Sequence, residues 1–526
     1  MSRPFKNVER NRLFRSVFPL SNIKIMDCDM GILYPVFCRK MVPGDKFQMG
    51  NQIVARMQPL IAPLMHEINI FVHYFFVPLR IMWPKPKYDL DPFVPDESSW
   101  EEFMTGGVDG LLEPTKPKWV PSSLGQTQVG SLWDLFGFPV NVLPTGAYPD
   151  CWPIRAYNMI WNEYYRDQNY MEAVDLDDEN VKRRCWEKDY FTTALPWQQR
   201  GTAPALPITG FSSAEFLGEI FANTGSTVNT NFSGFAYLSP DKARLINNGS
   251  FGAAGASEAY IRDWFNNNRV DLSQASTFDV NDLRLAFQTQ RFLEGMARSG
   301  ARYTEFLGTI YNVNPRDDRL QRPEYVGGSR TPVVISEVLQ TSSTDTTSPQ
   351  GTQAGHGMSV DRQYISSYFA QEFGVMVGIM SIMPRPMYQQ GIDREWLGET
   401  RYDEFIPEFV SLGEQAVLNA EIYASADEQY NKGVFGFQPR YNELRVSHNQ
   451  AVGHMRSGVQ DSLAFWHLGR YFAQPPALNQ EFLECNPRKD FLAVPSKPAF
   501  VITFGNKVRA VRPLPAYGTP GLIDHH

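Results

Sequence analysis

Between Gly31 and Pro78 the chain reads as a series of extended runs. Pro43-Gly44-Asp45 lies between two of them and is a turn signal. In the run that ends at Pro78, Ile68, Ile70, Val72, Tyr74 and Phe76 fall on one side of a strand. Asn69, Phe71, His73 and Phe75 fall on the other. Both sides are largely apolar, so this strand is predicted to be covered on both. Phe373–Met383 is an uncharged run of eleven residues. It is too short to span a bilayer and reads as another buried strand. Ala499–Val511 returns to strand-like alternation.

The middle of the chain has a different pattern. Residues 84–150 are rich in Pro, Gly and Trp and predict long ordered loops with short helices, such as Ser98–Met104. Ile154, Tyr157, Ile160, Trp161 and Tyr164 recur at helical spacing and predict a helix over Pro153–Arg166, with Pro153 in its first turn. Residues 211–279 are dominated by small and polar side chains and predict an inserted surface module. A helix follows, with Asn281 as N-cap, a stripe of Leu283, Phe287, Leu293 and Ala297, and Gly300 as its stop. Residues 341–358 form a low-complexity loop.

Strands at both ends with helices and loops between them fit a mainly β protein. A jelly roll suits this order better than a βαβ fold. The expected organisation is a basic arm over 1–30 and a jelly-roll domain over 31–526. The 211–279 module and the 341–358 loop interrupt that domain.

Composition narrows the function. The net charge is −8, so no global basic field exists to hold nucleic acid. The sign is uneven, because Arg3, Lys6, Arg10, Arg12 and Arg15 crowd the first fifteen residues against Glu9 alone. Phe5, Phe14 and Phe18 are interleaved with them and could stack on unpaired bases. This arm is the candidate DNA-facing element.

The five cysteines are scattered and form no CxxC pair, which argues against a disulfide framework or a zinc site. The start lacks the apolar segment of a signal peptide, and no apolar run is long enough to cross a membrane. Synthesis and folding are therefore expected in a cytoplasm.

Catalytic signals are poor. Gly125–Ser131 has Walker-A glycine spacing without the phosphate-binding Lys. His448 and His454 are six apart and fall on different sides of a helix. Asp177, Asp178 and Glu179 read as an acidic loop without the spaced ligands of a calcium site. Asp393, Glu395, Glu399, Asp403 and Glu404 could supply a glycosidase pair. They read better as surface carboxylates beside Arg394 and Arg401. No catalytic, cofactor or metal residue is assigned.

Several ordered motifs resemble the Microviridae major capsid protein, most closely its gokushovirus-like branch. They include Tyr74-Phe75-Phe76-Val77-Pro78-Leu79-Arg80, Arg155-Ala156-Tyr157-Asn158 with Asn162-Glu163-Tyr164-Tyr165-Arg166-Asp167, and Asp189-Tyr190-Phe191-Thr192-Thr193-Ala194-Leu195-Pro196-Trp197. Arg319–Gly328, Gly413–Asn419 and Pro520–His525 continue the series, which spans roughly residues 43–526. The match makes His525-His526 the expected natural end. The first forty residues match weakly, and the turn has Lys46 where the family usually has Thr.

The resemblance implies an eight-stranded antiparallel jelly roll. It also implies a T=1 icosahedral shell, built through pentamers and three-fold contacts, around circular single-stranded DNA. Residues 211–279 would form a three-fold protrusion that contacts a host surface receptor. A small basic DNA-binding protein and a pilot protein are the other expected virion partners. The expected location is the virion, after assembly in the host cytoplasm, with no cofactor, no membrane insertion and no enzymatic activity. The competing readings are a jelly-roll receptor-binding protein and a glycoside hydrolase.

Overall fold

A computed structural model describes residues 14–83, 99–105, 115–204, 280–299, 302–339 and 353–517, with four short strands between 214 and 270. The strands are β1 (Ser16–Pro19), β2 (Asn22–Cys28), β3 (Tyr34–Met41), β4 (Lys46–Met57) and β5 (Ile68–Pro78). The short β6 (Ala214–Glu215), β7 (Phe235–Ser239), β8 (Lys242–Leu245) and β9 (Arg269–Val270) come next. Then follow β10 (Glu324–Pro332), β11 (Val334–Leu339), β12 (Gln353–Phe369), β13 (Gly374–Pro384), β14 (Glu414–Leu418), β15 (Val434–Pro439) and β16 (Phe500–Arg512).

The six-stranded sheet runs β1-β16-β4-β12-β11, with β2 also on β16, and the four-stranded sheet runs β10-β5-β13-β3. The described pairings in both are antiparallel. Without β1 and β11 the sheets read β2-β16-β4-β12 and β3-β13-β5-β10. Early strands alternate with late ones, which is jelly-roll connectivity. β1 and β11 lie at the edges of the six-stranded sheet. Strand β16 is 13 residues long, so β2 fits on Phe500–Asn506 and β1 on Arg509–Arg512.

The expected arm over 1–30 is thus built into the sheet from Ser16 onward. The stretch 341–358 runs into β12 from Gln353; its residues 341–352 lie outside the described residues. Residues Gly201–Leu293 form a separate compact unit, which contains the 211–279 module. Most of that module lies outside the described residues.

Two clusters of apolar side chains decide which strand faces are covered. Between the sheets, Phe47, Ile53, Phe500, Ile502 and Phe504 meet Ile70, Val72, Tyr74, Met376 and Met380. On the far side of the four-stranded sheet, Phe75, Val77, Val375, Val377 and Ile379 pack with Trp100, Trp133, Trp152, Tyr157 and Trp161. The four-stranded sheet is therefore covered twice, and every residue of β13 is buried. The six-stranded sheet is covered once, so β16 alternates between buried and exposed along most of its length.

Local chemistry sets the connections. Gly44 takes φ +91° in the Pro43-Gly44-Asp45 turn, and Asp45 accepts the Val42 amide at 3.0 Å. The helix Trp152–Ile160 carries Pro153 in its first turn and continues as one π-helical turn, Trp161–Tyr165. Trp100–Thr105 is a short helix in which Ser99 accepts from the Glu102 amide while Glu102 accepts from the Ser99 amide. The helix Val280–Ser299 starts one residue before the expected N-cap. Its stripe buries Ala297 but leaves Phe287 66% exposed.

Candidate functional site

The candidate site is the exposed face of the six-stranded sheet. Its geometry follows from register. Gly50 of β4 is level with Tyr364 of β12 on one side and Lys507 of β16 on the other. Gln52 is level with Arg362 and Gly505, and Gln48 with Ser367 and Arg509. Lys46 is level with Phe369 and Val511. Successive odd residues of β4 (Phe47, Met49, Asn51, Ile53, Ala55, Met57) are buried, so the even ones point away from the core.

This face is cationic in a chain of net charge −8. Lys46, Arg56, Arg362, Lys507 and Arg509 are exposed on its strands, and exposed Arg15 just precedes β1. Asp27 is the exposed carboxylate that accompanies them among the described residues. Arg56, Arg362, Lys507 and Arg509 have no carboxylate within 4.0 Å among the described residues. Arg80, Arg155, Arg322, Arg330 and Arg385 elsewhere do, whereas Arg183, Arg184 and Arg470 bond instead to backbone or hydroxyl oxygens. Ile23, Ile25, Val360 and Val501 are exposed toward the other end, which suits contact with protein more than with a polyanion.

Of the five basic residues expected to face DNA, Arg15 is placed at the cationic end, its guanidinium 5.7 Å from the centre of the Phe369 ring. Arg3, Lys6, Arg10 and Arg12 lie outside the described residues, as does Phe5. Phe14 is 80% exposed, whereas half-buried Phe18 alternates with exposed Val17 and Pro19 and so sits on the other side of β1.

The remaining candidates are held by local contacts. Asp177 pairs with Arg155 and Asp178 with Lys182, while Glu179 accepts from the Trp119 indole at 3.0 Å. Asp403 caps its own loop by accepting the Thr400 amide at 2.8 Å. Arg394 does not pair with its acidic neighbours in sequence. It reaches the buried Glu421 at 3.1 Å, and Arg401 lies over the Tyr402 ring. Burial raises the Glu421 carboxyl above its ordinary range. His448 stands 3.1 Å from Asp393, with its pKa lowered by burial, while His454 is exposed. Among the described residues no group of three His, Cys, Asp or Glu is arranged to hold a metal.

Sequence reading missed the cationic face. Its signal was the period-two spacing of Lys507 and Arg509 in β16 and of Arg362 and Tyr364 in β12. Strand pairing alone brings these residues together.

The comparisons with known proteins agree along the chain. The family described as "Capsid protein (F protein)" matches residues 6–522. Capsid protein VP1 of Chlamydia phage 1 is 31% identical, over 99% of this chain and 98% of that protein. Capsid protein VP1 of Bdellovibrio phage phiMH2K is 32% identical over 98% and 96%, and that of Spiroplasma virus 4 is 29% identical over 98% and 97%. A major capsid role, virion location and self-assembly into a shell follow from this membership. The chain belongs to the phage capsid protein family, the F proteins.

Proposed function

We propose that this major capsid protein closes a T=1 icosahedral shell around circular single-stranded DNA, with the exposed face of the six-stranded sheet turned toward the genome. The observation that carries the reading is the charge distribution. An acidic chain gathers unpaired Lys and Arg on one sheet face. A polyanion attracts such a face through its phosphates, without regard to sequence and in a salt-dependent way. The arm with Arg3, Lys6, Arg10 and Arg12 leads into Arg15 at the cationic end of that face and adds to it.

The role is structural. The separate unit around 211–279 is read as an outward protrusion that meets a host receptor, in line with the family resemblance. A small basic DNA-binding protein and a pilot protein complete the particle in the same reading.

The test uses two sets of Ser substitutions in full-length protein, one at Arg3, Lys6, Arg10, Arg12 and Arg15 and one at Lys46, Arg56 and Arg362. Shell formation is followed by electron microscopy and packaged DNA by nuclease-protected nucleotide. Both sets are expected to form shells with less DNA. Normal DNA content in both would overturn the assignment of this face.

A further inference from the structure

A depression of about 590 Å³ opens on the cationic face, lined among others by Gly50, Arg362, Tyr364, Lys507 and Arg509. That volume is within the ~300–1,000 Å³ range of small-ligand sites. Its floor is Gly50. A side chain is absent there for a steric reason: a Cβ would lie 2.7 Å from the carbonyl oxygen of Gln363. Tyr364 and Lys507 flank Gly50 in the same row, so a ring and an ammonium stand on either side of a position that carries no side chain and that the Gln363 carbonyl approaches instead. Neighbouring strands are about 4.8 Å apart, so these two backbones stand roughly 10 Å apart across the glycine.

Two further details shape the site. Strand β12 has a register shift between Tyr364 and Ser366, and such bulges re-aim the side chains beside them. Tyr364 is 69% exposed, so its ring offers an uncovered π face. Arg509 follows Lys507 by two residues on the same side of β16, about 7 Å along the strand. Arg362 precedes Tyr364 by two on β12 in the same way. Three cations without carboxylate partners therefore surround one aromatic ring and one glycine floor.

We propose that this depression is a seat for one unpaired nucleotide of a single strand. Tyr364 stacks the base over the Gly50 floor, and Lys507, Arg509 and Arg362 take the flanking phosphates. The seat selects single strands, because a duplex keeps both faces of its bases stacked and cannot offer one to Tyr364. It ignores base identity, because every base has a π face. The inference rests on the proposed DNA-facing role of this sheet and adds the element that tells single-stranded from duplex nucleic acid.

The test uses soluble, unassembled full-length protein with a fluorescent twenty-nucleotide oligothymidylate and, separately, a duplex of equal length. Tyr364→Ala is expected to weaken single-strand binding about tenfold, the order of one lost base stack. Duplex binding should stay unchanged, and Tyr364→Phe should bind as the parent does. Lys507→Ser with Arg509→Ser is expected to flatten the slope of log affinity against log salt by about 1.4, at ~0.7 per phosphate contact on a single strand. In intact virions, ultraviolet crosslinking followed by peptide mapping should place a nucleotide adduct on the peptide that contains Tyr364. An unchanged affinity for Tyr364→Ala together with a flattened salt slope would overturn the seat and leave the cationic face standing. No change in either would overturn both.

Discussion

Arg155 grips Asp177 with two hydrogen bonds of 2.7 Å, one from Nε and one from Nη2. Its remaining nitrogen donates to the Met82 carbonyl at 3.0 Å. Arg155 is buried in the helix Trp152–Ile160, while Asp177 belongs to the acidic loop. One guanidinium thus ties the helix, the end of the strand region after β5 and the loop together. The forked geometry is specific to arginine.

Arg155→Lys is expected to lower subunit stability by about 1–3 kcal/mol, since a lysine ammonium cannot make the fork and leaves a buried acceptor unmet. Asp177→Asn should cost less, because that side chain is half exposed. Chemical denaturation of soluble protein measures both, and equal losses would contradict the account.

The single covering of the six-stranded sheet predicts opposite outcomes on one strand. Phe504 is fully buried on β16, whereas Val501 is 53% exposed. Phe504→Ala should cost about 3–5 kcal/mol and abolish shell formation. Val501→Ser should change subunit stability by no more than about 0.5 kcal/mol. A large loss from Val501→Ser in the isolated subunit would mean that the face is covered within one chain.

Two histidines predict acid sensitivity. Burial pulls the pKa of His73 down to about 4, helped by the nearby Arg184, and burial pulls His66 down to about 4 as well. Unfolding exposes them to water, where the ordinary value is about 6.5. The unfolded chain then binds more protons between pH ~4 and ~6.5, so stability is complete above pH ~6.5 and declines on acidification. Each histidine should contribute about 1–2 kcal/mol of loss by pH 5. Melting temperatures at pH 7 and pH 5 test this. The double variant His66→Gln, His73→Gln should show a smaller drop than the parent.

The separate unit predicts modular behaviour. Replacing residues 211–279 by a short flexible linker should leave both main sheets folded and particles able to form, but impair attachment to host cells. Cell-binding counts on purified particles measure it. Attachment at parental levels would remove the proposed receptor role from this insertion.

Much of the fold was legible in the sequence, for a reason of solvent contact. Apolar residues on both sides of Ile68–Val77 predicted a strand covered on both, and the uncharged Phe373–Met383 predicted a buried strand; β5 and β13 are the central strands of the doubly covered sheet. Alternation in Ala499–Val511 predicted a strand, and β16 lies there with one covered face. The turn at Pro43-Gly44-Asp45 and the helix near Pro153 were set by local backbone chemistry and stood where expected. The ordered motifs pointed to the capsid family, and the comparisons agree. What the sequence could not reveal was adjacency. Arg362 and Tyr364 lie 145 and 143 positions before Lys507, and Gly50 lies more than 300 positions before either group. Only antiparallel pairing on β4 sets them in neighbouring rows. Periodicity records which side of a strand meets water, because each residue carries that preference itself. Which strands become neighbours depends on the packing of the two sheets around a shared core, and that settled where the charge and the ring meet.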